Sequence, residues 1–282
     1  MTIPIAREGT KMTEKRGIQD SVLDELKRNL EVLRLFAIID HLDDAIEQAS
    51  KLEQGYVSFI AGLMQKQVLA KHESSAQRRI RNAGFPVIKT FEQFDWQFQK
   101  GLNVQMVKDL MNLHFIEQAR PVLMLGCPGT GKSHLSIAYG MLAATSGYSV
   151  KYMPISKLLT TLYGTLADGT TDKLVSQLAK PDLLILDDLR SIPTKPEYAS
   201  LLFDLVEARH NKRSTIVSSN LSVKLWGKVL GNASLTASLV DRLMQRAHVI
   251  NIRNGRSYRS DGPESPPQQD RPDGIDEPNE PT

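Results

Sequence analysis

The spacing of apolar residues changes character near residue 120. Upstream they return every three or four positions; downstream they gather in short continuous runs. Ser21 with Asp24 three places on has the form of a helix capping box. Leu23, Leu26, Leu30 and Leu33 then recur at helical spacing, and Phe36, Ile39, Leu42 and Ile46 continue the pattern. After a break at Gly55, Tyr56 to Arg81 reads as a further helix, with Phe59, Ile60, Leu63, Met64 and Val68 on its apolar side. Gly84 and Pro86 close it. Residues 18–84 are therefore expected to form a small N-terminal all-helical domain, behind a flexible leader at 1–17 that carries charges and no periodicity. Phe85, Phe91, Phe94, Trp96 and Phe98 mark a connector packed by aromatics, and with a helix near Val104–Glu117 this segment spans 85–118.

Beyond residue 118 the pattern alternates between strand and helix. Apolar runs at 121–126, 148–153, 183–187, 215–219 and 247–252 are separated by helical stretches. Five buried strands with helical crossovers predict an α/β fold, a parallel five-stranded sheet sandwiched by helices, over residues 119–260. Residues 261–282 are rich in proline and acids, with Ile275 as their one aliphatic side chain. Such a tail buries too little to offset its ordering entropy and is expected to be disordered.

The first strand runs into Gly126-Cys127-Pro128-Gly129-Thr130-Gly131-Lys132-Ser133, which fits the phosphate-binding pattern G-x-x-x-x-G-K-[ST], and His134 opens the helix pattern that follows. Glycines let successive backbone N–H groups face one centre, and the helix N-terminus adds partial positive charge there. Residues 126–134 are thus the candidate ATP cradle, with Lys132 reaching the β- and γ-phosphates and Ser133 as a ligand of Mg²⁺. A glycine turn with no ligand is the plain alternative, which the strand before and the helix after it disfavour. Cys127 within the loop is a candidate redox switch or simply a small residue.

Leu183-Leu184-Ile185-Leu186-Asp187-Asp188 is an apolar strand ending in two acids, about 55 residues after the cradle lysine. Ligands of open α/β sheets sit at the carboxyl ends of strands. Asp187 is the second candidate Mg²⁺ residue, and Asp188 the candidate for polarising the attacking water. Asn220, closing the run Thr215-Ile216-Val217-Ser218-Ser219-Asn220, is placed to orient that water, although Asn also ends strands as ordinary turn chemistry. Arg242 in Leu239-Val240-Asp241-Arg242-Leu243 is a candidate arginine finger reaching a neighbouring subunit's ATP, or else a surface partner of Asp241 or Asp204.

Composition narrows the setting. At 282 residues and 41% hydrophobic the chain can bury a sizeable core, and a net charge of +3 by itself selects no partner. The acidic tail leaves the remainder more basic, notably Lys66, Lys71, Arg78, Arg79 and Arg81 on one half-helix, a candidate surface for DNA or protein. A single cysteine excludes a disulfide framework within the chain. The first 17 residues lack an apolar signal segment, and a cytoplasmic location is expected.

Taken in order, these motifs resemble the IstB family of ATP-binding helpers of insertion-sequence transposases, within the wider AAA+ group that includes DnaC-like helicase loaders. The resemblance covers roughly residues 30–260. Its most specific stretches are 85–92, His114-Phe115-Ile116-Glu117, the phosphate loop, Ser218-Ser219-Asn220-Leu221, Asp241-Arg242-Leu243 and Ser257-Tyr258-Arg259. It implies an AAA+ sheet order, Asn220 as sensor 1, Arg242 at the finger position, and a helical insertion near Ser156–Ala179. Lys157 and Lys173 on that insertion are candidate DNA contacts. It further implies ATP hydrolysis, homo-oligomers on DNA with ATP sites at subunit junctions, and cooperation with a cognate transposase. A replicative helicase loader is the alternative, with the same chemistry and another client. Two departures stand out. Asp188 occupies a position where most relatives have Glu, which implies slow hydrolysis, and too little ordered chain follows the fifth strand to build a helical lid.

Overall fold

The computed structural model describes residues 21–190, 195–252 and 255–258; the expected leader at 1–17, the tail at 261–282 and Arg259 lie outside the described residues. Contacts divide the chain into two units, with the division between Ala76 and Gln77. This falls inside a helix, earlier than the boundary expected at residue 84.

The first unit holds α1 (residues 21–32), α2 (Phe36–Lys51) and the start of α3 (Tyr56–Ala83). The α1–α2 turn uses a left-handed residue, Arg34 (φ 57°), and Leu35 N donates to Leu30 O at 2.8 Å. Leu30, Ile38, Leu42 and Leu63 are buried together, flanked by Leu23, Leu35, Ile39, Ala45 and Phe59. Four buried aliphatics contribute roughly 2 kcal/mol each at most, a small core for three helices. Leu26, Leu33, Ile60, Met64 and Val68, expected on packed faces, are exposed. Helical period identifies a stripe but does not decide how much of it gains a partner.

The second unit is built on β1 (Val122–Gly126), β2 (Val150–Pro154), β3 (Leu183–Leu189), β4 (Ser214–Ser219) and β5 (His248–Ile252), all parallel, in the order β2-β3-β4-β1-β5. The five expected strands are present within a residue or two. Strand alternation feeds two cores. Val122, Met124, Ile185, Ile216 and Ile250 face one layer, which includes Leu135 and Tyr139 of α6 (Lys132–Thr145) and Phe91, Phe94 and Phe115. Leu123, Leu184, Leu186 and Val217 face the other layer. It is formed by α7 (Ile155–Gly164), α8 (Thr171–Ala179), α9 (Glu197–Arg209), α10 (Trp226–Leu230) and α11 (Ala233–Met244).

Two expected helices are interrupted. The helix at 104–117 is α4 (Val104–Asp109), a 3₁₀ turn at Leu110–Asn112 and α5 (His114–Glu117). Leu113 breaks it with φ 62°, and Asn112 Oδ1 accepts from His114 N, side-chain chemistry that competes with the helical ladder. The insertion at 156–179 divides into α7 and α8 because Gly164 ends the first helix and Asp168 Oδ1 caps a turn through Thr170 N and Oγ1. The end of α3 packs within the second unit: Ala83 is fully buried, and Arg79 Nε donates to Ala144 O at 2.6 Å. That carbonyl lies in the last turn of α6, where it also accepts from Gly147 N at 3.4 Å.

Candidate functional site

The cradle lies where β1 turns into α6. Gly131 caps the helix at φ 91°, and a Cβ there would stand 2.6 Å from the ring of Phe94. Gly129 has φ 78° and lies directly under Ser257, while Tyr258 N donates to Gly129 O at 3.0 Å. A side chain at either glycine would meet both backbone strain and a neighbour. Above the loop opens a cavity of about 660 Å³, within the range of nucleotide-sized ligand sites. Its lining brings together Pro128 to His134, Asp188, Asn220 and Ser218.

Lys132 is only 8% exposed, and its ammonium donates to the carbonyls of Gly126 (2.8 Å) and Cys127 (2.6 Å). Thr130 Oγ1 also donates to Cys127 O at 2.9 Å, so the loop is braced by its own side chains. The Cys127 thiol is exposed. Ser133 Oγ donates to Asp187 Oδ1 at 3.1 Å. Asp187 is 4% exposed, and it also accepts from Tyr152 OH at 2.7 Å and from Ser218 Oγ. A hydroxyl and a buried carboxylate on one face of a phosphate cradle are hard oxygen donors suited to Mg²⁺, which takes its remaining ligands from phosphate and water. Among the described residues no group of three or more His, Cys, Asp or Glu could hold a metal by protein ligands alone.

Asp188 adopts φ 64° where the β3–β4 register shifts between Leu186 and Leu189. Its N–H donates to Ser218 Oγ at 2.9 Å, and its carboxylate meets Arg190 Nε at 3.1 Å. A left-handed non-glycine residue costs of order 1 kcal/mol, and such strain collects at functional sites. Here the bulge turns the second acid of the pair toward the cavity while the first stays buried. Asn220 lines the same cavity, and its Oδ1 is buried without a hydrogen-bond partner among the described residues. Arg242 does not line the cavity. It pairs with Glu207 at 2.6 Å, rather than with Asp241 or Asp204, and its guanidinium sits 5.7 Å from the Phe203 ring.

The aromatic connector does more than join two parts of the chain. Lys89, Phe94, Phe98 and Gln99 line the cavity, Phe98 meets Tyr258 edge-on at 5.0 Å, and Phe94 meets His134 at 5.2 Å. His134 also hydrogen-bonds Thr90 O at 2.8 Å, and burial lowers its pKa despite that carbonyl, with the charge of Lys89 adding to the depression. Burial thus favours the neutral ring. His134 was expected in the cradle, but sequence reasoning assigned no role in the site to Lys89, Phe94, Phe98, Gln99, Ser218 or Tyr152. The aromatic cluster at 85–98 was the available signal, but nothing local showed that it folds over the loop. Of the basic half-helix, Lys66, Lys71, Arg78 and Arg81 are exposed, whereas Arg79 is committed to Ala144. Lys157 and Lys173 are exposed on α7 and α8.

A parallel sheet of this order, with a phosphate loop after β1 and an acid pair ending β3, defines an AAA+ P-loop domain. Solved structures share the fold. DnaI superposes with a TM-score of 0.50 at 17% identity, over 62% of this chain and 93% of that one. AMPPCP-bound DnaA from Aquifex aeolicus superposes with a TM-score of 0.50 at 22% identity, over 62% of this chain and 52% of that one. The family model described as IstB-like ATP binding protein matches residues 28–263, and the chain belongs to that family. Relatives include an insertion sequence IS21 putative ATP-binding protein from Pseudomonas aeruginosa, 35% identical over 84% of this chain and 89% of its own length. The IS232 putative ATP-binding protein from Bacillus thuringiensis subsp. berliner is 31% identical over 83% and 94%. Among the described residues no helix is long and apolar enough to cross a membrane.

Proposed function

We propose that this chain is an ATP-dependent transposition helper that assembles on DNA with further copies of itself and recruits or activates a transposase. The observation that carries the reading is the pairing of Ser133 with Asp187 beneath a nucleotide-sized cavity in a member of an insertion-sequence ATP-binding family. Backbone N–H groups of the loop and the Lys132 ammonium bind the triphosphate, the ammonium leaving the carbonyls of Gly126 and Cys127 for phosphate oxygens. Ser133 and Asp187 would hold Mg²⁺, which would supply neutralisation of the charge that develops on the phosphates. Asp188 accepts a hydrogen bond from the attacking water once it releases Arg190, and Asn220 orients that water through its free carbonyl oxygen. An Asp at this position is one methylene shorter than Glu, so turnover is slow.

Arg242 acts in trans, leaving Glu207 to meet the γ-phosphate held by a neighbouring copy. Arg242→Ala is expected to keep ATP affinity within about twofold while reducing DNA-stimulated hydrolysis about 1,000-fold, the usual worth of such a finger, and to impair assembly. Calorimetry on the isolated protein, phosphate release and sedimentation check this. An equal loss of monomer ATP affinity would rule out the trans role.

DNA is gripped through phosphates, with the exposed Lys66, Lys71, Arg78, Arg81, Lys157 and Lys173 as contacts. ATP-dependent DNA affinity should fall about 100-fold between 50 and 200 mM salt if about four phosphates are neutralised. In the same assay, labelled DNA should retain a cognate insertion-sequence transposase. A flat salt response overturns the phosphate grip, and retention of a replicative helicase in place of the transposase overturns the helper reading in favour of a loader.

A further inference from the structure

Asp187 carries two oxygens with different tasks. Oδ1 accepts from Ser133 and Ser218, on the side of the cradle. Oδ2 accepts from Tyr152 on the neighbouring strand, at 2.7 Å. In the β2–β3 register Tyr152 stands beside Ile185, and Pro154 beside Asp187, so the phenol reaches diagonally across two residues to find the carboxylate. Tyr152 is 7% exposed, and its ring is fixed from behind by Phe85 at 6.1 Å. Phe85 is itself seated against α6, where a Cβ on Gly140 would lie 2.7 Å from its ring. Burial first, and the carboxylate second, raise the phenol's pKa well above its ordinary value, which keeps it a donor. A polar group this deeply buried is costly unless it is hydrogen-bonded, and here both carboxylate oxygens have donors.

We propose that Tyr152 is a positioning residue for Asp187. It ties down one carboxylate oxygen so that the other is presented to Ser133 and to Mg²⁺. The proposal rests on the Mg²⁺·ATP reading above. Partners of metal-side ligands that touch no metal themselves typically account for 10- to 100-fold in metal affinity. The seat of Phe85, directly after the end of α3, supplies the ring packing, whereas the hydroxyl alone supplies the orientation.

Equilibrium binding of a fluorescent ATP analogue, titrated with Mg²⁺ from an EDTA baseline, separates these roles. Tyr152→Phe keeps the ring and removes the hydroxyl. It should raise the Mg²⁺ concentration for half-maximal effect about 10-fold, and leave nucleotide affinity in EDTA unchanged. Phe85→Leu keeps the hydroxyl and should lower Tm without moving the Mg²⁺ midpoint. An unmoved midpoint in Tyr152→Phe, or an equal shift in Phe85→Leu, overturns the proposal. If the unmutated chain binds the analogue with no response to Mg²⁺, the metal reading itself fails, and this proposal with it. Should Tyr152→Phe not fold, NMR of the unmutated protein decides. A buried phenol proton held by a carboxylate exchanges slowly enough to be seen. It should shift when Mg²⁺ joins bound ATP and stay put with ATP alone; indifference to Mg²⁺ overturns the proposal.

Discussion

Lys132→Ala is expected to weaken ATP binding by about 100-fold or more and to abolish turnover. The ammonium is nearly buried and makes hydrogen bonds of 2.8 and 2.6 Å to the loop carbonyls of Gly126 and Cys127. Exchanging those neutral acceptors for phosphate oxygens is the gain that the alanine variant loses. Charge-assisted hydrogen bonds of this kind contribute about 1.5–3 kcal/mol each, and truncating one partner of a desolvated charge pair costs about 2–5 kcal/mol. Some loss of stability in the nucleotide-free protein is also expected, because two loop carbonyls lose their donor. Calorimetric titration with Mg²⁺·ATP, beside thermal melts without nucleotide, separates the two effects. An unchanged dissociation constant in a folded variant would remove the phosphate cradle from this loop and every assembly step built on it.

The parts of the site that were legible in the sequence are those whose chemistry is local. Gly126 to Ser133 must curl as a unit, and the strand ending in Asp187-Asp188 reads as an apolar run stopped by two acids. Strands buried on both faces give continuous apolar runs, which is why all five emerged. Long-range placement was not legible. Tyr152 looks like one more apolar residue of β2, because alternation along a strand says nothing about a carboxylate two positions diagonal on the next. The bulge that turns Asp188 depends on Ser218 of β4, another non-local partner. Phe94 and Phe98 read as packing, and only the fold shows that the packing roofs the cavity. The helix breaks at Leu113 and around Asp168 arise from side-chain hydrogen bonds that outbid the helical ladder, a competition that apolar period does not register.

Arg209→Met is expected to lower stability by about 3 kcal/mol and Tm by roughly 10 °C, while leaving ATP affinity unchanged wherever the variant is folded. Arg209 ends α9 with 1% exposure, and its hydrogen-bond partners among the described residues are carbonyls and a hydroxyl. Its guanidinium donates to Leu178 O, Ala179 O and Pro181 O at 3.1, 3.1 and 2.9 Å, to Thr215 Oγ1 at 3.0 Å, and to Ser214 O. The first two acceptors belong to the last turn of α8, where carbonyls have no helical partner and cations are favoured. Burial pushes its pKa down to about 9, so the group still carries its charge at neutral pH. The planar fork thereby joins the end of α8, the approach to β3 and the start of β4. All three lie at the amino ends of parallel strands, opposite the phosphate loop at their carboxyl ends. Methionine fills similar space but removes the donor from five acceptors, and this outweighs the relief of no longer burying a cation. Arg209→Lys should fare nearly as badly, because one ammonium cannot reach five acceptors arranged around a plane. A melting temperature within 2 °C of the unmutated protein for both variants would show that these bonds are replaceable. A loss of ATP affinity in the folded variants would show that the two ends of the sheet are coupled, which a rigid parallel sheet does not require.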